Sequence, residues 1–474
     1  MTDLIEPSIT RPTRGGESPT DVAKRLRATF DSGRTRPVEW RRSQLKALRR
    51  LLVDGEAEMI DALERDLGKS ATEGFLMEIA SVRAEIDYAL RHFESWLTPE
   101  KVHVPAKQRP ARARIHQDPL GVVLIIGPWN YPIQLILAPL VGALAAGNAV
   151  VLKPSEVAEH ASHVLAHLVP RFLDTDAVAV VEGGVPETTA LLEECWDHIL
   201  YTGNGTVARV VMAAAAKHLT PVTLELGGKS PTIVDRSANL DVAARRIAWG
   251  KYSNAGQTCV APDYVLVDRR VEGPLAARLR DTVRAFYGDD PRNSNDFGRI
   301  INDRHFARLA RLVDADGAGE IVYGGDRDES ERYFSPTAVR GTEPTAAIMQ
   351  EEIFGPVLPL IAVDDIDTAI EFVNVRPKPL ALYVFAEDGA VAERVVDNTT
   401  AGGVCVNSTV FHLAVPGLPF GGVGESGMGA YHGRTGFDTF SHAKSVLTKP
   451  TSIDPSIAYP PYKGIKAKLL RRLL

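Results

Sequence analysis

Cysteine is scarce: the 474 residues contain three, Cys195, Cys259 and Cys405, far apart and never spaced as Cys-x-x-Cys. That excludes a zinc ribbon and a disulfide framework, and it fits a reducing compartment. The histidines are scattered without metal-ligand spacing, so no metal is expected. No apolar run approaches the roughly 20 residues that span a bilayer. Residues 1–10 carry acidic side chains and no apolar core, which argues against a signal peptide. There is no excess of basic charge either, with 54 basic against 60 acidic residues and a net charge of −6, so nothing holds nucleic acid. No repeat with a period of 20–50 residues is visible. Together these absences point to a cytoplasmic globular protein, and the length allows two or three domains around a large core.

Residues 1–18 are polar and rich in Pro, Gly and Thr, and read as a loose arm. From Asp21 to about Leu97 the apolar residues recur at helical spacing, as in Val22, Leu26 and Phe30, which predicts a helical layer. Residues 105–116 are basic and extended, either a linker or an edge strand. At Gly121 the character changes. The run 121–127 is continuously apolar and of strand length, as for a strand buried on both faces. Helix and strand patterns then alternate: helices over 133–146, 157–169, 186–194 and 207–219, strands over 149–152, 178–181, 198–201 and 222–226. The alternation resumes with helices over 241–252, 273–287, 304–315, 365–374 and 391–398 and strands over 264–267, 357–361, 381–385 and 403–406. The predicted fold class is α/β, with two doubly wound open-sheet domains. The glycine-dense stretch 418–429 reads as loop, and 437–446 as a returning strand.

Several stretches carry chemistry. In Asn254-Ala-Gly-Gln-Thr-Cys-Val-Ala-Pro262 a thiol, Cys259, sits on a turn after a helical run. A nucleophilic thiolate needs a lowered pKa or a nearby base, and many buried cysteines are inert small hydrophobes. Thr223-Leu-Glu-Leu-Gly-Gly-Lys-Ser-Pro231 ends an apolar run with a carboxylate, Glu225. Gly203-Asn-Gly-Thr-Val-Ala208 follows a strand and opens a helix, the context in which Gly-x-Gly-x-x-Gly/Ala binds a dinucleotide pyrophosphate. That motif also assigns an acid about 20 residues on to a ribose, so Glu225 has two competing roles. Lys153 and Glu156 in Leu152-Lys-Pro-Ser-Glu156 either hold ribose hydroxyls or form a surface ion pair. Asn130, in Pro128-Trp-Asn-Tyr-Pro132, is either a turn residue or an amide donor to a developing oxyanion. Glu351-Glu-Ile-Phe-Gly-Pro356 sets carboxylates beside an aromatic before a buried strand. Gly227-Gly-Lys-Ser230 lacks the first glycine of a phosphate loop, whose place falls on Thr223.

In this order these stretches, with Leu418-Pro-Phe-Gly-Gly, resemble the aldehyde dehydrogenase superfamily over about residues 110–445. Lys217-His-Leu-Thr-Pro-Val-Thr and Ser426-Gly-Met-Gly-Ala-Tyr-His-Gly resemble its class 3, or fatty aldehyde, branch. The resemblance implies Cys259 as nucleophile, Glu225 as general base, and Asn130 with the Cys259 backbone N–H as oxyanion hole. It implies that Lys153 and Glu156 hold the adenosine ribose, Glu352 the nicotinamide ribose with Phe354 packed nearby, and Gly203 and Asn204 the pyrophosphate; Trp129 is expected at the cofactor or, with Tyr131 and Phe411, at an apolar entrance. Ala208 departs from the family's frequent glycine. Tyr131 and Phe411 would line an apolar substrate entrance.

The implied reaction is oxidation of an aldehyde by NAD, or by NADP, to the acid through a thiohemiacetal and thioester, on medium- or long-chain aliphatic or aromatic aldehydes. The rivals are a dehydrogenase that passes its acyl group to coenzyme A and a non-catalytic nucleotide-binding or structural protein. The implied organisation is a cofactor-binding domain over 1–226, with 105–120 in a small strand-based oligomerisation element. A catalytic domain follows over 227–415, and 416–474 returns with an oligomerisation strand and tail. The branch implies a homodimer. In the tail, 464–474, Ile465, Leu469 and Leu473 share one face among basic residues, for contact with either a membrane surface or the protein itself.

Overall fold

The computed structural model describes residues 17–473. The arm expected over 1–18 lies outside them except for its last two residues. Ser18 caps the helix Pro19–Asp31 through a reciprocal bond pair with Asp21. Helices Val38–Asp54, Glu56–Leu67 and Ser81–Leu97 follow. The last is entered through a short helix, Ala71–Gly74, and a π-helical turn, Phe75–Ala80.

The strands, in chain order, are β1 (Glu100–Val102), β2 (Arg112–Pro119), β3 (Val122–Ile126), β4 (Ala149–Lys153), β5 (Val178–Val180), β6 (His198–Gly203) and β7 (Val222–Leu226). Next come β8 (Pro231–Val234), β9 (Tyr264–Asp268), β10 (Glu320–Tyr323), the two-residue pair β11 (Arg327–Asp328) and β12 (Tyr333–Phe334), and β13 (Thr337–Arg340). The remainder are β14 (Val357–Val363), β15 (Ala381–Phe385), β16 (Gly403–Val406), β17 (Gly427–Met428) and β18 (Ser441–Thr448). They form one six-stranded sheet, β17-β7-β6-β3-β4-β5, one seven-stranded sheet, β10-β13-β14-β9-β8-β15-β16, a three-stranded sheet, β1-β2-β18, and the β11–β12 pair.

The continuous apolar runs do what two-sided burial demands. Val123, Ile125, Val150 and Leu152 face one core, shared with helices Val38–Asp54, Ser81–Leu97 and Gln134–Ala146. Val122, Leu124, Ala149 and Val151 face a second, under helices Pro19–Asp31 and Gly205–Ala216. Within the six-stranded sheet only β17 runs antiparallel. The chain winds from β3 outward through β4 and β5, then returns to β6 and β7 on the other side. The winding therefore reverses between β3 and β6, the place where open α/β sheets bind ligands at their carboxyl edge.

The structure corrects three expectations and adds strands that none foresaw. The basic stretch after Pro105 is neither linker nor edge: β2 is the middle strand of its sheet, paired to β18 over eight residues. The glycine-dense loop is not wholly loop, because Gly427–Met428 adds to the edge of β7. Phe437 lies in a helix, Gly433–Thr439, and the returning strand begins at Ser441. Strands β8 and β13, four residues each, had no legible signal: both are too short for a periodicity, and β8 opens on a proline.

Candidate active site

The helix Leu240–Tyr252 ends in a turn whose backbone is left-handed at three successive residues, Asn254 (φ 52°), Ala255 (φ 49°) and Gly256 (φ 74°). Two non-glycine residues there are strained, and the turn is over-determined by its bonds. The Asn254 N–H donates to Glu73, and its side-chain amide donates to the carbonyls of Asn130 (2.9 Å) and Gln257 (3.0 Å). The Gln257 amide donates to the carbonyls of Asn254 and Arg299 and its oxygen accepts from the Ile301 N–H. Gly256 cannot be otherwise, since a Cβ would stand 2.2 Å from the Gly355 carbonyl oxygen. Past it, the Tyr383 hydroxyl donates to the Val260 carbonyl. Cys259, fixed between these anchors, is partly exposed. It lines a cavity of about 610 Å³, whose wall includes Tyr131, Thr258, Trp249, Phe411 and Tyr431.

Tyr131 and Phe411 thus share the cavity with the thiol. Tyr131 is buried, with its hydroxyl 2.7 Å from Thr258 Oγ1. Phe411 is exposed and stacks on Trp249 at 5.0 Å. Asn130 does not line the cavity, but its side-chain amide donates to the Gln257 carbonyl at 3.0 Å, two residues before Cys259. Glu225 is 2% exposed, is also absent from the wall, and neither of its carboxylate oxygens has a hydrogen-bond partner among the described residues. β17 covers it: Gly427 lies opposite Glu225 in the register. Burial pushes its carboxyl well above the usual range. The Cys259 thiol is pushed up to about 12 by burial, then by the Glu352 and Glu225 carboxylates, against the lowering pull of the Cys259 and Val260 N–H groups. The sequence argument asks for a lowered thiol pKa or a nearby base; burial and then the two nearby acids work against the first.

The other predicted residues lie along two facing edges. Lys153 ends β4, Gly203 ends β6, and Glu225 and Leu226 end β7, all at the carboxyl edge of the six-stranded sheet. Glu352 and Phe354 precede β14, at the amino edge of the seven-stranded sheet. Trp129, just after β3, meets Phe354 edge-on at 5.3 Å and so closes the gap between them. Lys153 is buried, donates to the Pro154 carbonyl at 2.7 Å and lies 3.6 Å from Glu156, whose side chain is half exposed. An ammonium so placed keeps donor capacity for hydroxyl oxygens. Asn204 uses its side chain to cap the helix Gly205–Ala216 by accepting from the Val207 N–H. Gly203 lacks a side chain for a local reason as well, because a Cβ there would meet the Tyr201 hydroxyl at 2.2 Å. The Glu352 carboxyl lies against Gly227 and Gly228 and is pushed up to about 8, chiefly by burial.

The chain matches the aldehyde dehydrogenase family profile over residues 10–446. It belongs to the aldehyde dehydrogenase family. It is 50% identical over 430 residues to the dimeric NADP-preferring aldehyde dehydrogenase of Rattus norvegicus, covering 91% of this chain and 94% of that one. It is 49% identical over 439 residues to aldehyde dehydrogenase family 3 member A2 of Mus musculus, covering 92% and 90%. Among solved structures, the substrate-bound state of Staphylococcus aureus AldH superposes with a TM-score of 0.93 at 43% identity, covering 96% of this chain and 98% of that one. The protein is an NAD(P)-dependent aldehyde dehydrogenase of the family 3 kind, and the two-sheet α/β architecture is the family's fold.

For an aldehyde dehydrogenase the donor set fits a dinucleotide: a reversal of winding, a helix N-terminus after β6, a buried ammonium beside a carboxylate, and a second carboxylate across the cleft. Sequence reasoning left Lys229 without a role. Its ammonium donates to Asp263 and to the carbonyls of Ile348 (2.8 Å) and Glu351 (2.9 Å), and so anchors the segment that carries Glu352 and Phe354. Tyr431 was missed as well. Its hydroxyl is buried with no partner among the described residues, and its pKa is raised by burial first and then by Glu225 and Cys259. The signal was present in the quoted Gly-Ala-Tyr-His stretch, but nothing in that stretch says that it folds back on β7.

Proposed function

We propose that this dehydrogenase oxidises medium- or long-chain aliphatic or aromatic aldehydes through a covalent thioester on Cys259. The observation that carries this reading is the placement of a partly exposed thiol in the wall of a largely apolar cavity, within electrostatic reach of a buried, unpartnered carboxylate. Cys259 gives its thiol proton to Glu225, which passes it to water before deacylation, as the sulfur attacks the carbonyl carbon, and the Asn130 amide with the Cys259 N–H stabilises the oxyanion that forms. Bound NAD(P) supplies the acceptor for the hydride that leaves the substrate carbon. Lys153 and Glu156 would hold its adenosine ribose, Gly203 and Asn204 its pyrophosphate, and Glu352, with Phe354 and Trp129 beside it, its nicotinamide ribose. Glu225 then takes a proton from water as the water attacks the thioester. A carboxylate whose proton affinity is raised by burial is a better base than one in solvent.

Initial rates across aldehyde chain lengths, with each coenzyme and with and without coenzyme A, test the reading. Acid should form in every case, and rates should rise with apolar length. Acyl-CoA as the main product would overturn the hydrolytic role of Glu225. The half-exposed Glu156 can turn from a 2′-phosphate but still repels it. Glu156→Gln should therefore raise kcat/KM for NADP relative to NAD by about tenfold, a change of about 1.4 kcal/mol; an unchanged ratio would remove Glu156 from the ribose site.

The separate six- and seven-stranded sheets support a division into a cofactor-binding unit over 1–226, a catalytic unit over 227–415 and a returning segment over 416–474. The open outer edge of β18 supports a homodimer, a state that the rat relative's name gives for that protein. Isolated thiols support a cytoplasmic location. Among the described residues no helix is long and apolar enough to cross a membrane. The tail helix Ile465–Leu473 exposes Ile465 and Leu469, which supports contact with a membrane surface rather than packing on its own chain. The side chain of Leu473 lies outside the description. Co-sedimentation with liposomes should be lost on deleting 464–474; retained sedimentation would exclude the tail.

A further inference from the structure

Two charged side chains that the reaction leaves unused are buried beneath the site. Lys69 is 1% exposed and Glu78 is 0% exposed, and they form an ion pair. The Lys69 ammonium also donates to the Asn130 carbonyl at 2.9 Å and stands 4.0 Å from the centroid of the Tyr131 ring. The second Glu78 oxygen accepts from the Ile133 and Gln134 N–H groups, both at 3.0 Å, and so satisfies two donors at the start of the helix Gln134–Ala146. The pair thus grips both ends of the segment from Asn130 to Gln134. Glu78 reaches this place from the π-helical turn Phe75–Ala80, a distortion that recurs where a side chain must be aimed.

A buried ion pair is a weak source of stability, because desolvation of both ions offsets their attraction, and neutral residues of the same shape often serve as well. A neutral pair would not hold the Asn130 backbone. That carbonyl receives two donors, Lys69 Nζ from the helical layer and Asn254 Nδ2 from the nucleophile's turn, while the Asn130 side chain donates to Gln257. Take Lys69 away and the Asn130 peptide is tied only to the turn that carries Cys259. Its amide can then follow that turn instead of being fixed against it.

We propose that Lys69, held by Glu78, is a positioning residue for oxyanion stabilisation: it fixes the Asn130 backbone and with it the side-chain amide, one hydrogen of which goes to the Gln257 carbonyl while the other is the donor for the substrate oxygen. The proposal rests on the role given to Asn130 above. A displacement of about 1 Å at such a donor can cost about 10²-fold in rate.

The test is the first-turnover rate of NAD(P)H formation in the wild type, Asn130→Ala, the pair replacement Lys69→Met with Glu78→Gln, and all three substitutions together. The pair is replaced as a unit because Lys69→Met alone strands a buried carboxylate. Asn130→Ala should slow the first turnover by about 10²–10³-fold. The pair replacement should slow it by about 10–10²-fold, with wild-type coenzyme affinity and a Tm within about 5 °C of wild type. Added to Asn130→Ala, it should cost less than about twofold more, since the amide it positions is already gone.

A wild-type rate in the pair replacement, or the same loss in both backgrounds, would overturn the proposal while leaving the role of Asn130 intact. A pair-replaced chain that does not fold would overturn it too, since the pair would then hold the fold and not the amide. A wild-type rate in Asn130→Ala removes the oxyanion role itself, and the proposal with it.

Discussion

Cys259→Ala should abolish aldehyde oxidation, by about 10⁴-fold or more, and leave coenzyme binding at its wild-type affinity. The loss is large because every later step is built on the bond to sulfur. Without it there is no tetrahedral adduct, and Asn130 has no oxyanion to stabilise. Coenzyme affinity should survive because the residues placed on the dinucleotide sit on other elements: Lys153 at the end of β4, Asn204 after β6 and Glu352 before β14. Removing one sulfur atom from a partly exposed position leaves only a small void. Coenzyme titration by fluorescence, alongside an absorbance assay with a panel of aldehydes, reads both halves. Oxidation surviving within tenfold would assign the chemistry elsewhere, and Cys195 and Cys405 would be the remaining thiols to examine.

Glu225→Gln should give a burst of about one NAD(P)H per active site and then stall, with steady turnover reduced by about 10²–10⁴-fold, the usual span of a general base. Gln keeps the shape of Glu225 but cannot take a proton, so the thioester forms more slowly, with the thiol proton going to water, and then persists. The same substitution has a consequence for stability. The carboxyl is raised in the folded chain because it is buried without a partner. Such a group costs nothing extra below the unfolded carboxylate pKa, and stability is lost as pH rises from there through the folded value. Glu225→Gln should therefore raise Tm, by an amount that grows as pH rises above the unfolded carboxylate value of about 4.3. A Tm gain independent of pH would mean that the carboxyl is not the strained group. Normal turnover would mean that another base serves deacylation.

Much of this was legible in the sequence, for an identifiable reason. Two strands of the six-stranded sheet carry unbroken apolar runs, Val122–Ile126 and residues 149–152, and a run that is apolar on both faces is buried on both. Val222–Leu226 and Ala381–Phe385 fall where the alternation puts them, because helices of ordinary length separate them from their neighbours. What escaped is what tertiary contact decides. Gly427–Met428 has no strand character of its own and becomes one only because β7 offers an edge. Phe437 reads as the start of a strand until the helix Gly433–Thr439 packs it at the centre of a core. The site shows the same division. Cys259, Glu225 and Asn130 stand in local stretches that can be read one at a time. Their surroundings draw on Lys69, Glu73 and Glu78, from well before Cys259 in the chain, and on Tyr431, from well after it. The direction of the thiol shift was not legible either: burial raises it first, and the two carboxylates that add to it are brought there only by the meeting of the two sheets.

Mass analysis of acid-quenched Glu225→Gln, taken during the stall with a coenzyme and a long-chain aldehyde present, addresses the covalent thioester most directly. The peptide containing Cys259 should carry the mass of the aldehyde less two hydrogens, near one per chain, while the peptides of Cys195 and Cys405 stay unmodified. An unmodified Cys259 peptide under a completed NAD(P)H burst, or the acyl group found on either other cysteine, would contradict the account.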